Sequence, residues 1–125
     1  MYARNPAFLE MFNKDYVAHF PGGVDVQGPE DVKNLTDQYF KAFPDMTHVS
    51  SDFIAQGDKV VVRYRDTGTH KGAFMGVDPT GRKIENTAIG IFRIIDGKMV
   101  EGWLEYDQLG LMMQLGMEFK PREEK

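Results

Sequence analysis

Residues 82–106 constrain the fold of this chain more than any other stretch. Asp96-Gly97 is its strongest hairpin signal, because a two-residue turn between twisted strands needs positive φ at both positions, which Asp-Gly tolerates. Arg82 to Ile95 reads as a long strand before that turn, and Lys98 to Tyr106 as the strand that pairs back along it. An antiparallel sheet built on this hairpin needs one face covered, so the rest of the chain must supply further strands and a lid.

Both are legible upstream. Lys59 to Thr67 alternates, with Val60, Val62 and Tyr64 on one face and Val61, Arg63 and Arg65 on the other, so the two arginines read as outer surface or interface. Gly57-Asp58 turns the chain into it from a strand over Thr47 to Ile54. Before Thr47 the apolar period is helical. Asn5-Pro6 reads as a helix start, with Phe8, Met11, Phe12 and Tyr16 at helical spacing and Pro21-Gly22-Gly23 as the stop. Gly28-Pro29-Glu30 opens a second helix whose apolar stripe is Val32, Leu35, Tyr39 and Ala42/Phe43, ended by Pro44-Asp45. Gly68 to Gly81 is a long glycine-bearing loop, and Gln108 to Leu115 a short apolar helix. Helices followed by an antiparallel meander predict an α+β fold. A curved antiparallel (mixed) sheet would have its concave face covered by the N-terminal helices, with a pocket between them. Residues 1–118 form one expected domain, and residues 119–125 a charged tail.

Composition narrows the function classes. A net charge of -4 leaves no basic field to hold nucleic acid or a membrane surface. The absence of cysteine excludes disulfides, thiolate chemistry and cysteine zinc sites. No run approaches the roughly 18 apolar residues of a membrane span, and MYARNPAFLEMF lacks the regions of a signal peptide, so a cytoplasmic location is expected. His19, His48 and His70 fall on separate elements without metal-ligand spacing, and neither a metal nor a cofactor is expected. Nucleophile-elbow, phosphate-loop and dinucleotide motifs are missing. Eight methionines and fifteen Phe, Tyr and Trp residues fill a core or line an adaptable pocket.

The candidate site residues gather near the second arm of the hairpin. In a regular strand from Met99, the side chains of Met99, Glu101, Trp103, Glu105 and Asp107 share a face. Carboxylates lining an apolar pocket have raised pKa values, and one so placed takes a proton from a carbon beside a carbonyl. Asp107 is the first candidate base and Glu105 its rival. Asp107 also stands where an N-cap would for the helix that follows, and the two roles are compatible. Trp103 either walls the pocket or anchors the core. Tyr16 and His19, one helical turn apart, would share a face, His19 either polarising a ligand carbonyl or orienting a water, or standing at a helix C-terminus where the dipole favours it. His70 is a pocket or rim residue of the glycine-bearing loop, or part of its turn chemistry. Asn86 and Phe92 have the same strand parity and are expected in the pocket. His48 reads as an exposed residue at a strand start.

Four stretches carry a resemblance: DYVAHFPGG at 15–23, GPEDVKNLTDQYFKAFPDM at 28–46, GTHKGAFMGVDPTGRKI at 68–84 and IFRIIDGKMVEGWLEYDQLGLMMQLG at 91–116. The chain resembles the SnoaL-like polyketide cyclases, or ester cyclases, of the superfamily named after nuclear transport factor 2. The resemblance implies an α+β cone with a deep apolar pocket, and ring closure of a polyketide ester by intramolecular aldol chemistry. It implies an aspartate base and no metal or cofactor. The family's W-x-x-x-D pattern falls on Trp103 to Asp107, and its Tyr-x-x-His pattern on Tyr16 and His19. Many relatives carry histidine where this chain has Gly102. The family's long first helix would end about where this chain starts. A sheet without that cover favours subunit packing, so a homo-oligomer, a dimer or tetramer, is expected. The epoxide hydrolases of the superfamily carry R-x-D on a strand, which occurs nowhere here. The expected function is binding of a small apolar or carbonyl-containing ligand, with cofactor-free proton abstraction leading to aldol cyclisation or isomerisation. The alternative is a non-catalytic ligand-binding or assembly module of the same fold.

Overall fold

The computed structural model describes residues 6–123, so Asn5, read as a helix cap, and the last two residues of the tail lie outside it. Six strands form one mixed sheet in the order β2-β1-β6-β5-β4-β3. They are β1 (Phe12–Phe20), β2 (Val24–Gln27), β3 (Thr47–Gln56), β4 (Lys59–Thr69), β5 (Lys83–Ile95) and β6 (Lys98–Tyr106). Among the described strands only the β1–β6 pair runs parallel. The sheet is not closed into a barrel. Helix α1 (Gly28–Ala42) and a 3-10 helix (Pro6–Met11) lie over one face, and α2 (Gln108–Gln114) packs at the end of β5. This is the α+β architecture that the β5–β6 hairpin requires. Its turn residues Asp96 and Gly97 take φ of 52° and 77°, and Ile95 pairs with Lys98.

The first predicted helix is corrected. Helical structure stops at Met11, and Phe12–Phe20 is a strand. The helical spacing has a physical source. The β1–β6 register shifts between Phe12 and Val17, where Phe12 pairs with Met99 and Val17 with Glu101. The Asn13 side chain accepts from the Asp15 amide (2.8 Å) inside that bulge. Phe12 and Tyr16, four residues apart, are therefore buried side by side with ring centroids 4.8 Å apart, as they would be on a helix. Beyond the bulge the period is two, so Tyr16 and Ala18 face inward and His19 faces the other side.

Two apolar clusters hold the molecule. One joins Phe12, Tyr16, Ala18 and Val26 to Val32 and Leu35 of α1. The other joins Phe43, Met46, Phe74 and Ile84 to Leu111 of α2 and to Leu115, which caps it. The long loop docks on the end of α1, where the Lys71 and Gly72 amides both donate to the Ala42 carbonyl (2.8 and 3.1 Å).

Candidate functional site

Beside the first cluster the sheet and α1 border a partly open cavity of about 380 Å³. Its walls are apolar: Phe12, Val26, Leu35, Val62, Phe92 and Leu104 come from six different elements. Size and lining suit a small, mostly apolar ligand. Polar side chains cluster on the β3–β5 flank, where His48, Ser50, Asp66 and Asn86 all line the cavity.

That cluster is built by strand register. His48 of β3 lies opposite Asp66 of β4, which in turn lies opposite Asn86 of β5. Ser50 follows His48 by two residues and shares its face. His48 Nδ1 is 2.7 Å from Asp66 Oδ1, and His48 Nε2 is 3.0 Å from Ser50 Oγ. A carboxylate only accepts, so Nδ1–H donates to Asp66; in the neutral ring Nε2 then accepts the Ser50 hydroxyl proton. The imidazole ring lies against Tyr64 with centroids 4.6 Å apart. The His48 side chain is 5% exposed and that of Asp66 20%, so this chain of hydrogen bonds is largely withdrawn from water.

The eight expected site residues divide between three places. Tyr16, Asn86 and Phe92 line the cavity. Burial raises the Tyr16 hydroxyl to about 12, so it stays protonated. Trp103, Glu105, Asp107 and His19 stand on the opposite face of the sheet. The expectation that Met99 shares a face with Trp103 and Asp107 is corrected. Arg93 pairs with Glu101 and Ile94 with Met99, leaving Val100 as the extra residue of a bulge. Met99, Leu104 and Tyr106 consequently line the cavity, and the β6 acids point away from it. Glu105 and Asp107 border an open groove of about 590 Å³ with Arg63 and Arg65. The Asp107 carboxylate accepts the Gly110 amide (2.8 Å), which caps α2.

His19 packs on Trp103 with ring centroids 5.8 Å apart. Its Nε2 is 2.8 Å from Glu101 and its Nδ1 3.1 Å from Asp25, and these two hydrogen bonds, Glu101's first, raise its pKa above 6.5. Helical spacing would set it one turn from Tyr16 on a shared face, which is corrected: on a strand, three residues apart, the two face opposite ways. His70 is fully buried in the second cluster beside Phe43, and its Nδ1 accepts the Thr80 amide (3.2 Å).

His48 was expected at an exposed strand start, and the structure corrects this. Counting outward from the Gly57-Asp58 turn sets His48 opposite Thr67, because Gln56 pairs with Lys59. A bulge at Asp52, where φ is 48°, shifts the register by one and brings Asp66 opposite instead. The alternation of His48, Ser50 and Asp66 with their neighbours is visible in the sequence; the bulge that aligns them is not. Among the described residues no helix is long and apolar enough to cross a membrane. No group of three or more His, Asp or Glu side chains there is placed to hold a metal ion.

The model of the SnoaL-like polyketide cyclase family matches residues 4–115. The chain belongs to that family. It is similar to aklanonic acid methyl ester cyclase DnrD of Streptomyces peucetius, with 30% identity over 111 residues, covering 86% of this chain and 73% of DnrD. Among solved structures it is similar to TsrD of Streptomyces laurentii, with TM-score 0.79 and 29% identity over 90% of this chain and 83% of that one. It is also similar to IdmH of Streptomyces antibioticus, described as a candidate polyketide cyclase, with TM-score 0.75 and 35% identity over 86% of this chain and 84% of that one. In this SnoaL-like chain the W-x-x-x-D stretch thus ends on a helix-capping aspartate, and among the described residues the carboxylate that lines the cavity is Asp66 of β4.

Proposed function

We propose that this SnoaL-like chain binds a small apolar, carbonyl-containing ligand of polyketide type between α1 and the sheet. It removes a proton from the carbon next to a carbonyl without a cofactor, and the enolate then closes a ring by aldol addition or is reprotonated elsewhere. One observation carries this reading: the largely apolar cavity with His48, Ser50, Asp66 and Asn86 gathered on its β3–β5 flank. Apolar walls give affinity for the carbon skeleton. Grouped polar atoms fix which carbonyl is activated. Kinship with an aklanonic acid methyl ester cyclase supports the same substrate class.

The larger groove on the outer face is open to solvent and bordered by charges of both signs, Arg63 and Arg65 against Glu105 and Asp107. With exposed Val49, Ile54, Ile89 and Ile91 on the same face, it suits a second copy of the chain, and the proposal includes a homo-oligomer. Light scattering that returns a clean monomer mass at micromolar concentration would reject the oligomer.

Ligand binding is tested with 2-tetralone, a compact ketone with an apolar ring. In methyl NMR spectra the expected result is movement of the Met99, Leu104 and Val62 signals, which face the cavity. Movement confined to Ile89 and Ile91, on the outer face, would overturn the reading.

A further inference from the structure

We propose that His48 is the catalytic base of this site, that Asp66 positions its ring through Nδ1, and that Ser50 serves the ligand oxygen. The inference rests on the carbonyl-ligand reading above and adds to it the groups that move the proton.

The hydrogen-bond chain Asp66–His48–Ser50 has the order and distances of a base held by a carboxylate. Asp66 Oδ1 to His48 Nδ1 is 2.7 Å, and His48 Nε2 to Ser50 Oγ is 3.0 Å. The carboxylate holds the hydrogen on Nδ1, which leaves the lone pair on Nε2. All three side chains line the cavity, and the imidazole is nearly fully withdrawn from solvent. A buried polar chain of this kind raises the cost of folding relative to an apolar pair at the same positions, so its presence in an otherwise apolar wall points to chemistry. The other acids and bases named as candidates do not reach this cavity. Glu105 and Asp107 border the outer groove, and His19 is held by Glu101 and Asp25 on that same outer side.

The step balances without a co-reactant. A ligand α-carbon takes the place of the Ser50 hydroxyl at Nε2. The C–H bond breaks, its electron pair enters the new C=C bond, and the carbonyl π pair moves to oxygen. The proton forms an N–H bond on Nε2, and the resulting imidazolium faces the Asp66 carboxylate. The Ser50 hydroxyl, released from Nε2, donates to the enolate oxygen. The enolate carbon then attacks a second carbonyl of the same ligand, a C–C bond forms, and the new alkoxide recovers the proton from Nε2. His48 ends as it began.

The test is deuterium uptake at C1 of 2-tetralone in D2O, followed by proton NMR with the full chain, alongside binding by methyl shifts. Wild type accelerates uptake. His48→Ala lowers the rate by about 100-fold or more while leaving the dissociation constant within about twofold, and added imidazole restores part of it. Asp66→Asn keeps an acceptor for Nδ1–H but removes the charge, so the rate falls about 10-fold or more at unchanged affinity, and imidazole does not help. Should His48→Ala not fold, Asp66→Asn carries the test, and an unchanged rate in it overturns the proposal. Full exchange in His48→Ala with intact cavity binding overturns the base assignment and leaves the functional reading standing. Loss of exchange in Asp107→Asn with retention in His48→Ala does the same. A wild-type chain that binds 2-tetralone in the cavity without accelerating exchange overturns the proton-abstraction reading itself.

Discussion

A Cβ at Gly102 would lie 2.6 Å from the Tyr16 hydroxyl and 3.1 Å from Phe92 Cδ1. Gly102 of β6 pairs with Ala18 of β1 and Phe92 of β5, so the space above it belongs to the neighbouring strands. Tyr16 fills it, so a side chain at position 102 would have to displace Tyr16 or Phe92. Gly102→Ala is expected to cost about 1–3 kcal/mol through overpacking, read as a lower denaturant midpoint at unchanged slope. Tyr16→Phe removes the atom in closest approach, so the double variant is less destabilised than the sum of the single ones. Strict additivity would refute this account of the glycine.

His19 makes stability depend on pH in one direction. Its hydrogen bonds to Glu101 and Asp25 raise its folded pKa above 6.5, so the folded state binds the proton more tightly than the unfolded chain. The resulting stabilisation is fully present below pH 6.5 and is lost as pH rises through the higher folded value. Melting temperature should therefore decline across that window, by a small amount because His19 is solvent-accessible. Glu101→Gln removes the largest cause of the shift and should flatten the decline. An NMR titration of the His19 ring that shows no upward displacement would refute it.

The fold is legible where local chemistry is decisive. Asp96-Gly97 can do little but turn, and the alternation of Val60, Val62 and Tyr64 announces its own face. Legibility fails at bulges. Three of them, in β1 before Val17, at Asp52 and at Val100, each change which residues face the cavity. They turn a strand into an apparent helix, hide His48 and Asp66 from pairing by count, and send Trp103 and Asp107 to the outer face. A bulge adds one or a few residues to one strand and leaves no compositional mark, since the shift is chosen by packing across the sheet. Asn86 and Phe92 were readable as cavity residues because β5 stays regular between them.

Asp107 accepts the Gly110 amide at 2.8 Å, so its loss should be felt in α2. Asp107→Ala is expected to cost about 1 kcal/mol, while Asp107→Asn, which caps nearly as well, costs a few tenths. Urea midpoints for the two variants check the difference. Equal losses would mean that the carboxylate contributes something other than the cap. Because Leu111 and Leu115 of this segment reach the buried cluster with Phe43, loosening α2 should also raise amide exchange at Leu111.

His70 ties the long loop to the core. It is fully buried with its ring centroid 5.6 Å from that of Phe43, and its Nδ1 accepts the Thr80 amide. The backbone repeats the tie, since the His70 amide donates to Arg82 O (2.8 Å) and the Gly81 amide to His70 O (2.9 Å). Removing the ring leaves a cavity beside Phe43 and deprives the Thr80 amide of its acceptor at once. His70→Ala should therefore cost about 3 kcal/mol, well above a surface substitution. The hydroxyl of Thr80 lies 3.0 Å from the same nitrogen, so His70→Ala and Thr80→Ala remove overlapping interactions and should be less than additive. Hydrogen exchange separates this from a general loss of stability. The Thr80 amide should lose protection by more than the fall in global stability accounts for, while amides in β4 and β5 fall only by that amount. A Thr80 amide that stays protected in His70→Ala would show that the loop is held by its backbone contacts alone.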